Sequence, residues 1–262
     1  MKKTVALPAC LFLLINVFGQ QFRLAPPSMQ YGSVFFKKQA VVKLDFREPG
    51  AVIRYTMNNT EPDEKSPLYT KPLIIIRNNT TLKARSFSKK YLPSATVEAT
   101  FLQAGWPATV VDCTVADEKY RGGGAAALTD NRGGIAAAAA PEWLGFMRDT
   151  INVQLQLQQP QKVTEIVIDF LQAESSWIFM PSSVTAYAFN EMESRWQLLG
   201  RRQFSFGTPA TATTCVFAGI QAAQAVTSKK ILVKIVPLQN LPQWHDGKGQ
   251  PAWVFMDEIK VY

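Results

Sequence analysis

The stretch LPQWHDGKGQPAWVFMDEIKVY, residues 241–262, decides how this chain reads. Its first half is a loop: Pro242, Gly247, Gly249 and Pro251 interrupt any regular element, and Trp244 and His245 sit between those breaks. Its second half, 253–261, is rich in aromatic and β-branched residues and reads as a closing strand carrying the acidic pair Asp257 and Glu258. A Trp/His/Gly loop feeding an acid-bearing strand is the pattern around which the other segments arrange themselves.

Working outward, the preceding segments are strands too. Ile151, Val153, Leu155 and Leu157 alternate with Asn152, Gln154 and Gln156, and 163–170 repeats the pattern through Ile166, Ile168 and Phe170. Further strands are expected at 184–189, 196–199, 213–217 and 230–236, so that 106–262 reads as a jelly-roll-like β-sandwich. Gly105 and Pro107 break the pattern and mark 103–107 as a linker. Upstream, Val42, Leu44 and Phe46 alternate with Lys43, Asp45 and Arg47, and Ile53, Tyr55 and Met57 with Arg54, Thr56 and Asn58. With strands at 72–77 and 80–87, residues 24–102 read as a smaller antiparallel sandwich. The fold class is all-β, with two β-sandwich domains.

The composition is that of a folded, exported protein. At 262 residues, 47% hydrophobic and 18% charged, the chain can bury a core and is not disordered. Residues 1–19 have the layout of a secretory signal: Lys2 and Lys3, an apolar run over 5–18, then Gly19, where cleavage is expected. The run is shorter than the roughly 20 residues a membrane-spanning helix needs, so no transmembrane segment is expected after signal removal. Cys10 lies inside the run rather than at its polar end, against a lipid anchor. The expected location is secreted, periplasmic or cell-surface. Cys113 and Cys215 then form an even pair in an oxidising compartment, which permits a disulfide without requiring one.

Several function classes are excluded or disfavoured. The net charge of +8 is spread over pairs such as Lys37-Lys38, Lys89-Lys90, Arg201-Arg202 and Lys229-Lys230. No dense basic stripe for nucleic acid results, and such pairs suit solvated strand edges. A single His leaves no His-rich zinc site and no Cys/His nucleophile. The runs Gly122 to Ala127 and Ala136 to Ala140 lack the Gly-Lys-Ser/Thr ending of a phosphate loop.

Two resemblances follow from the residues. Gly50-Ala51-Val52-Ile53-Arg54-Tyr55-Thr56, then Glu61-Pro62, Ser66-Pro67-Leu68-Tyr69 and Thr80-Thr81-Leu82-Lys83-Ala84-Arg85 resemble the fibronectin-III-associated domain at chitobiase and hexosaminidase C-termini. That resemblance implies an Ig/fibronectin-III-like spacer or docking module without catalytic residues. Leu128-Thr129-Asp130, Glu142-Trp143-Leu144-Gly145-Phe146, Phe170-Leu171-Gln172, Ser176-Trp177-Ile178-Phe179-Met180-Pro181, Trp196 and the closing stretch resemble the discoidin-like (coagulation-factor type C) module of bacterial family-20 β-N-acetylhexosaminidases. The upstream sequence is too short to hold that family's catalytic barrel.

The discoidin resemblance implies a structural Ca²⁺ ion stapling the early loop to the last strand. By position Asp130 and Glu258 would be its carboxylates, and Ala127, Arg132, Ile135 and Asp257 would offer carbonyls, a set adequate for a hard ion that takes oxygen ligands. Otherwise Asp130 caps a turn and Glu258 pairs with a nearby Arg or Lys. Asn131 stands where a Gly often follows this Asp, which affects the loop geometry.

Glycan recognition needs an aromatic face and polar groups at its rim, on loops at one end of a sandwich. Trp177, Phe179, Trp244 and His245 are the candidates, with Asp246 and Glu142 to accept hydroxyl hydrogen bonds and Lys248 or Arg148 to donate them. Trp143, Trp196 and Trp253 are expected in the core; for Trp177 and Trp244, core and ligand contact both stay open. His245 is expected to fix its loop rather than act as a base, since no paired acid or nucleophile lies at a recognisable spacing. The alanines 136–140 depart from the polar loop usual before this Trp, which weakens a sugar site there.

The expectation is an exported, non-catalytic protein that tethers or presents glycans of N-acetylhexosamine or galactose type. The alternative is a structural subunit docking a separate glycoside hydrolase or cell-surface protein. Neither reading involves nucleic acid.

Overall fold

A computed structural model describes residues 22–133 and 135–262; the expected signal sequence lies outside them. The first module contains β1 (Ser28–Gln30), β2 (Phe35–Phe36), β3 (Ala40–Asp45), β4 (Val52–Thr56), β5 (Ile74–Ile76), β6 (Thr80–Phe87) and β7 (Val97–Gln103). They form a three-stranded sheet, β1-β3-β5, and a four-stranded one, β2-β7-β6-β4. The period-two pattern decides which face is dry: on β3, Val42 and Leu44 are buried while Val41 and Lys43 are exposed. These side chains meet Ile76, Leu82, Ala84 and Phe101 between the sheets.

The second module contains β8 (Ala108–Cys113), β9 (Leu144–Phe146), β10 (Ile151–Gln172), β11 (Ser183–Asn190), β12 (Arg195–Gln203), β13 (Thr214–Val236) and β14 (Val254–Val261). Two pairs of expected strands are thus single long ones: 151–157 joins 163–170 in β10, and 213–217 joins 230–236 in β13. β8 and β9, with little apolar alternation of their own, had no counterpart in the sequence reading. β10 and β13 pair with each other on both sides of register shifts at Gln156/Gln161 and Val163/Glu165. Pro160 falls in the first gap, where its missing N–H costs no ladder bond. The hairpin serves two layers: its 151–156 end continues into β8, β11 and β12, and its 166–172 end into β14 and β9. Ile151, Val153 and Leu155 meet Ile166, Ile168 and Phe170 in one core.

β14 closes the second layer and carries a bulge. Its register jumps from Asp169↔Glu258 to Phe170↔Met256, which leaves Asp257 as the extra residue. The bulge flips the pattern, so Val254, Met256, Ile259 and Val261 all reach the core.

The two modules are joined through this outer face. The linker lies on the closing strand, with Trp106 N–H donating to the Val261 carbonyl at 2.7 Å. Phe35 meets Phe217 edge to face at 5.8 Å, and Ser33 Oγ donates to the Asn131 carbonyl. Cys113 and Cys215 are free thiols on different clusters, Cys113 against the main core and Cys215 beneath the alanine loop. Burial raises both, Cys113 to about 11, so neither is a ready nucleophile. No helix among the described residues is long and apolar enough to cross a membrane.

Gly105 tests the junction. A Cβ there would stand 2.1 Å from the Val261 carbonyl oxygen, a backbone atom that cannot rotate away. Gly105→Ala should push the linker off β14 and lower stability by about 1–3 kcal/mol, the range for forced overpacking, measured by urea unfolding and accompanied by faster proteolysis at 103–107.

Candidate functional site: a tryptophan pair on a locked turn

β10 ends at Gln172 and gives way to a short 3-10 turn, Glu174–Ser176, that ends at Trp177 in the left-handed conformation, φ +66°. This conformation is uncommon for a bulky residue and holds only where the surroundings fix it. Here they do. Trp177 N–H donates to the Glu174 carbonyl, and Trp253 N–H donates to the Trp177 carbonyl, both at 2.9 Å. Its indole lies against Gly247, where an added Cβ would come within 2.5 Å of the ring.

His245 locks the facing loop. The Gly247 N–H donates to its Nδ1 at 3.0 Å, so the imidazole proton sits on Nε2 and is donated to the Glu174 carbonyl at 2.9 Å. Both ring nitrogens are occupied and the residue is only 8% exposed, which leaves neither nitrogen free for proton transfer. The loop-fixing role expected from the sequence fits this geometry. Glu174, which sequence reasoning did not single out, is buried with its carboxylate accepting from Gln172 Nε2 and from the Ala210 N–H. It therefore ties the 204–213 loop to the same turn. An acid directly after a strand was the only signal for it.

Two faces stay open. Trp177 is 37% and Trp244 is 36% exposed, and both rings meet His245 edge-on, at 5.7 and 5.8 Å. Trp244 rests on Phe179 at 5.9 Å and donates its Nε1 hydrogen to the Phe206 carbonyl. Asp246 and Lys248 are exposed on the same turn.

Phe179 must be corrected: it is fully buried under Trp244 and presents no face to a ligand, because Leu241 and Ala252 close over it. Buried His245 is likewise support rather than surface. Glu142 lies elsewhere, in a cleft of about 200 Å³ with Asp130 and Asp257, and Arg148 lines a different cleft near Val115 to Lys119. Trp143 is core as expected, its Nε1 donating to the Ile135 carbonyl, and Trp253 is half-buried in the adjoining aromatic cluster. Trp196 departs from expectation at 37% exposed, because β12 is an edge strand of which only Leu199 is buried. Ala138 and Ala140 cover Trp143, so the alanine run packs over apolar surface.

The Ca²⁺ set can be tested against the same geometry. Asp130 Oδ1 and Glu258 Oε1 do converge, but on one donor, the Arg132 N–H, at 2.8 and 3.1 Å. Glu258 Oε2 accepts from the Lys260 ammonium. The Ile135 carbonyl accepts from Trp143 Nε1 and from the Ala137 N–H, and the Ala127 carbonyl from the Asp130 N–H. Burial raises the Glu258 carboxyl above its ordinary range, Lys260 opposes that, and Asp257 and Asp130 add to it. A site already supplied with an ammonium and with N–H donors does not fit a dication that needs six to eight oxygens. Asn131 takes φ +65°, so it adopts the left-handed bend that a Gly would and the loop turns as it must. Among the described residues no group of three or more His, Cys, Asp or Glu is placed to hold a metal ion.

Comparison with known proteins follows the two modules. Residues 31–98 match the family model of the chitobiase/beta-hexosaminidase C-terminal domain. No curated protein matches the chain. Among solved structures, the family 32 carbohydrate-binding module from Streptococcus pneumoniae EndoD is similar at 15% identity and TM-score 0.39, covering 59% of this chain and 94% of that one. The C-terminal domain of a chitobiase from Bacteroides fragilis is similar at 14% identity and TM-score 0.36, over 60% and 93%. The family 32 module from C. perfringens NanJ, in complex with galactose, is similar at 12% identity and TM-score 0.39, over 60% and 97%. The chain is all-β, and neither module is a catalytic barrel.

Gly247→Ala should force the Trp177 ring off its seat. The expected cost is about 1–3 kcal/mol by chemical unfolding, with a changed near-ultraviolet circular dichroism signal; an unaltered spectrum and stability would show that the ring is not held there.

Proposed function

We propose that this chain is an exported, non-catalytic glycan-binding protein whose second module presents Trp177 and Trp244 as the sugar platform. The observation that carries the reading is the pair itself: two tryptophans, each more than one third exposed, fixed on either side of one buried histidine. Exposing large rings forgoes their burial, worth about 1.5–3 kcal/mol for a large apolar side chain. Holding them rigid lowers the entropy lost when a ligand docks. Pyranose rings offer apolar C–H faces to such surfaces, and Asp246 and Lys248 supply an acceptor and a donor at the rim. N-acetylhexosamine and galactose-type sugars are the first to test. The first module is a spacer or docking domain beside the platform, and the protein acts outside the cytoplasm, secreted, in the periplasm or at the cell surface.

A second reading has one observation in its favour. The edge strand β12 leaves Trp196 37% and Leu198 56% exposed, a surface on which a separate glycoside hydrolase or cell-surface protein would dock. Variants on β12 and on the platform separate the two readings.

On a glycan array, Trp177→Ala and Trp244→Ala should each lose retention at least about tenfold, the loss of about 1.4 kcal/mol of binding energy. Each should cost less stability than Trp143→Ala, whose interior ring should cost about 3–5 kcal/mol. Retention unchanged in both variants, with Trp196→Ala reducing capture of a partner instead, would overturn the glycan reading.

A further inference from the structure

The acidic closing strand raises a problem that the platform does not touch. Glu258 is 0% exposed, Asp257 1%, and Asp130 stands within hydrogen-bond reach of Glu258. Ionised carboxylates so placed repel one another and are costly to desolvate, so the site calls for a positive charge. Lys260 lies two residues beyond Glu258 on the same face of β14 and is itself only 5% exposed. Its Nζ donates to Glu258 Oε2 and, at 2.9 Å, to Asn131 Oδ1, and it stands 4.6 Å from the centre of the Phe35 ring. The partners come from three places: the closing strand, the loop after Asp130, and the first module.

We propose that the Lys260 ammonium is the built-in cation of this site, tying the 130–132 loop and the first module to β14 so that the chain has no calcium requirement there. A divalent ion bound to Glu258 would face that ammonium across a few ångströms of poorly hydrated protein, where like charges repel strongly. Lys260 is only 5% exposed, and its ammonium is held between Glu258, Asn131 and the Phe35 ring. The other Glu258 oxygen and the Asp130 oxygen are held by the Arg132 N–H, a donor facing where a cation would want an acceptor. The ammonium also does what an ion held by one module would not. Through Phe35, and through Asn131 whose carbonyl accepts from Ser33, it fixes how the first module sits on the second.

The test is a calcium series on the full mature chain. Wild-type protein should melt at the same temperature in chelator and in millimolar calcium, whereas an ion at a hundredfold over its Kd would raise the midpoint by about 5–10 °C. Lys260→Met keeps the stem and removes the charge; it should melt several degrees lower than wild type in chelator and recover little on adding calcium, because the Arg132 N–H still faces the carboxylates. A calcium-dependent rise in wild type, or calcium retained stoichiometrically after gel filtration, overturns the proposal. So does a Lys260→Met protein that is as stable as wild type in chelator. If Lys260→Met does not fold in chelator, Lys260→Met/Glu258→Gln should fold and ignore calcium. Failure of that double variant to fold would show that the charge pair is not what the site depends on.

Discussion

The long hairpin of β10 and β13 is the constraint on which the second module rests. A sheet strand ordinarily belongs to one layer, but these two run for 22 and 23 residues and bend together, so each contributes to both layers. The bend falls where the ladder slips, at Gln156/Gln161 and Val163/Glu165, and Pro160 sits where no ladder bond is asked of it. Because the same strands face each other across the core, Val153 and Ile168 are partners in one cluster although they lie on one strand. β8, β9, β11, β12 and β14 need only pair with this frame. The two strands of the hairpin also decide where function can go: β10 leads at Gln172 to the turn carrying Trp177, and β13 leads at Val236 to the loop carrying Trp244 and His245.

The outer face of the second layer holds a polar junction within apolar surroundings. Phe35 and Phe217 supply dispersion contact, while Glu258, Lys260, Asn131 and Ser33 supply directed bonds. A buried ion pair adds little net stability compared with apolar residues of the same shape, yet breaking one costs about 3–5 kcal/mol. Its effect is therefore on geometry: sliding or rotating the first module would strand charges in a dry place. A hydrophobic contact alone would tolerate such slippage, since it is not directional.

At the other end the logic is reversed, with polar groups buried so that apolar ones can stand exposed. Glu174 and His245 spend their hydrogen-bonding capacity on backbone groups and on Gln172, which rigidifies two turns. The rings of Trp177 and Trp244 then stay at the surface because their backbones have no freedom to collapse inward. Phe179 beneath them is the floor on which Trp244 rests.

Much of this was legible in the sequence. Side-chain direction in a strand depends only on local geometry, so alternation such as Val42-Lys43-Leu44 or Ile151-Asn152-Val153 revealed strands, faces and an all-β chain of two sandwiches. The Pro- and Gly-bounded contexts of Trp177 and Trp244 likewise pointed to loops. The partner of Glu258 was within reach too: pairing with a nearby Arg or Lys was the alternative to the ion, and Lys260 two residues on must share its face. What tertiary structure alone decided is burial and pairing: that Phe179 is floor and Trp244 surface, that Trp196 lies on an edge, that two pairs of strands are continuous, and that Lys260 closes onto Asn131 and Phe35. Those outcomes depend on which distant segments arrive at a given face. Periodicity fixes the direction in which a side chain points, and only the closed fold fixes what it meets.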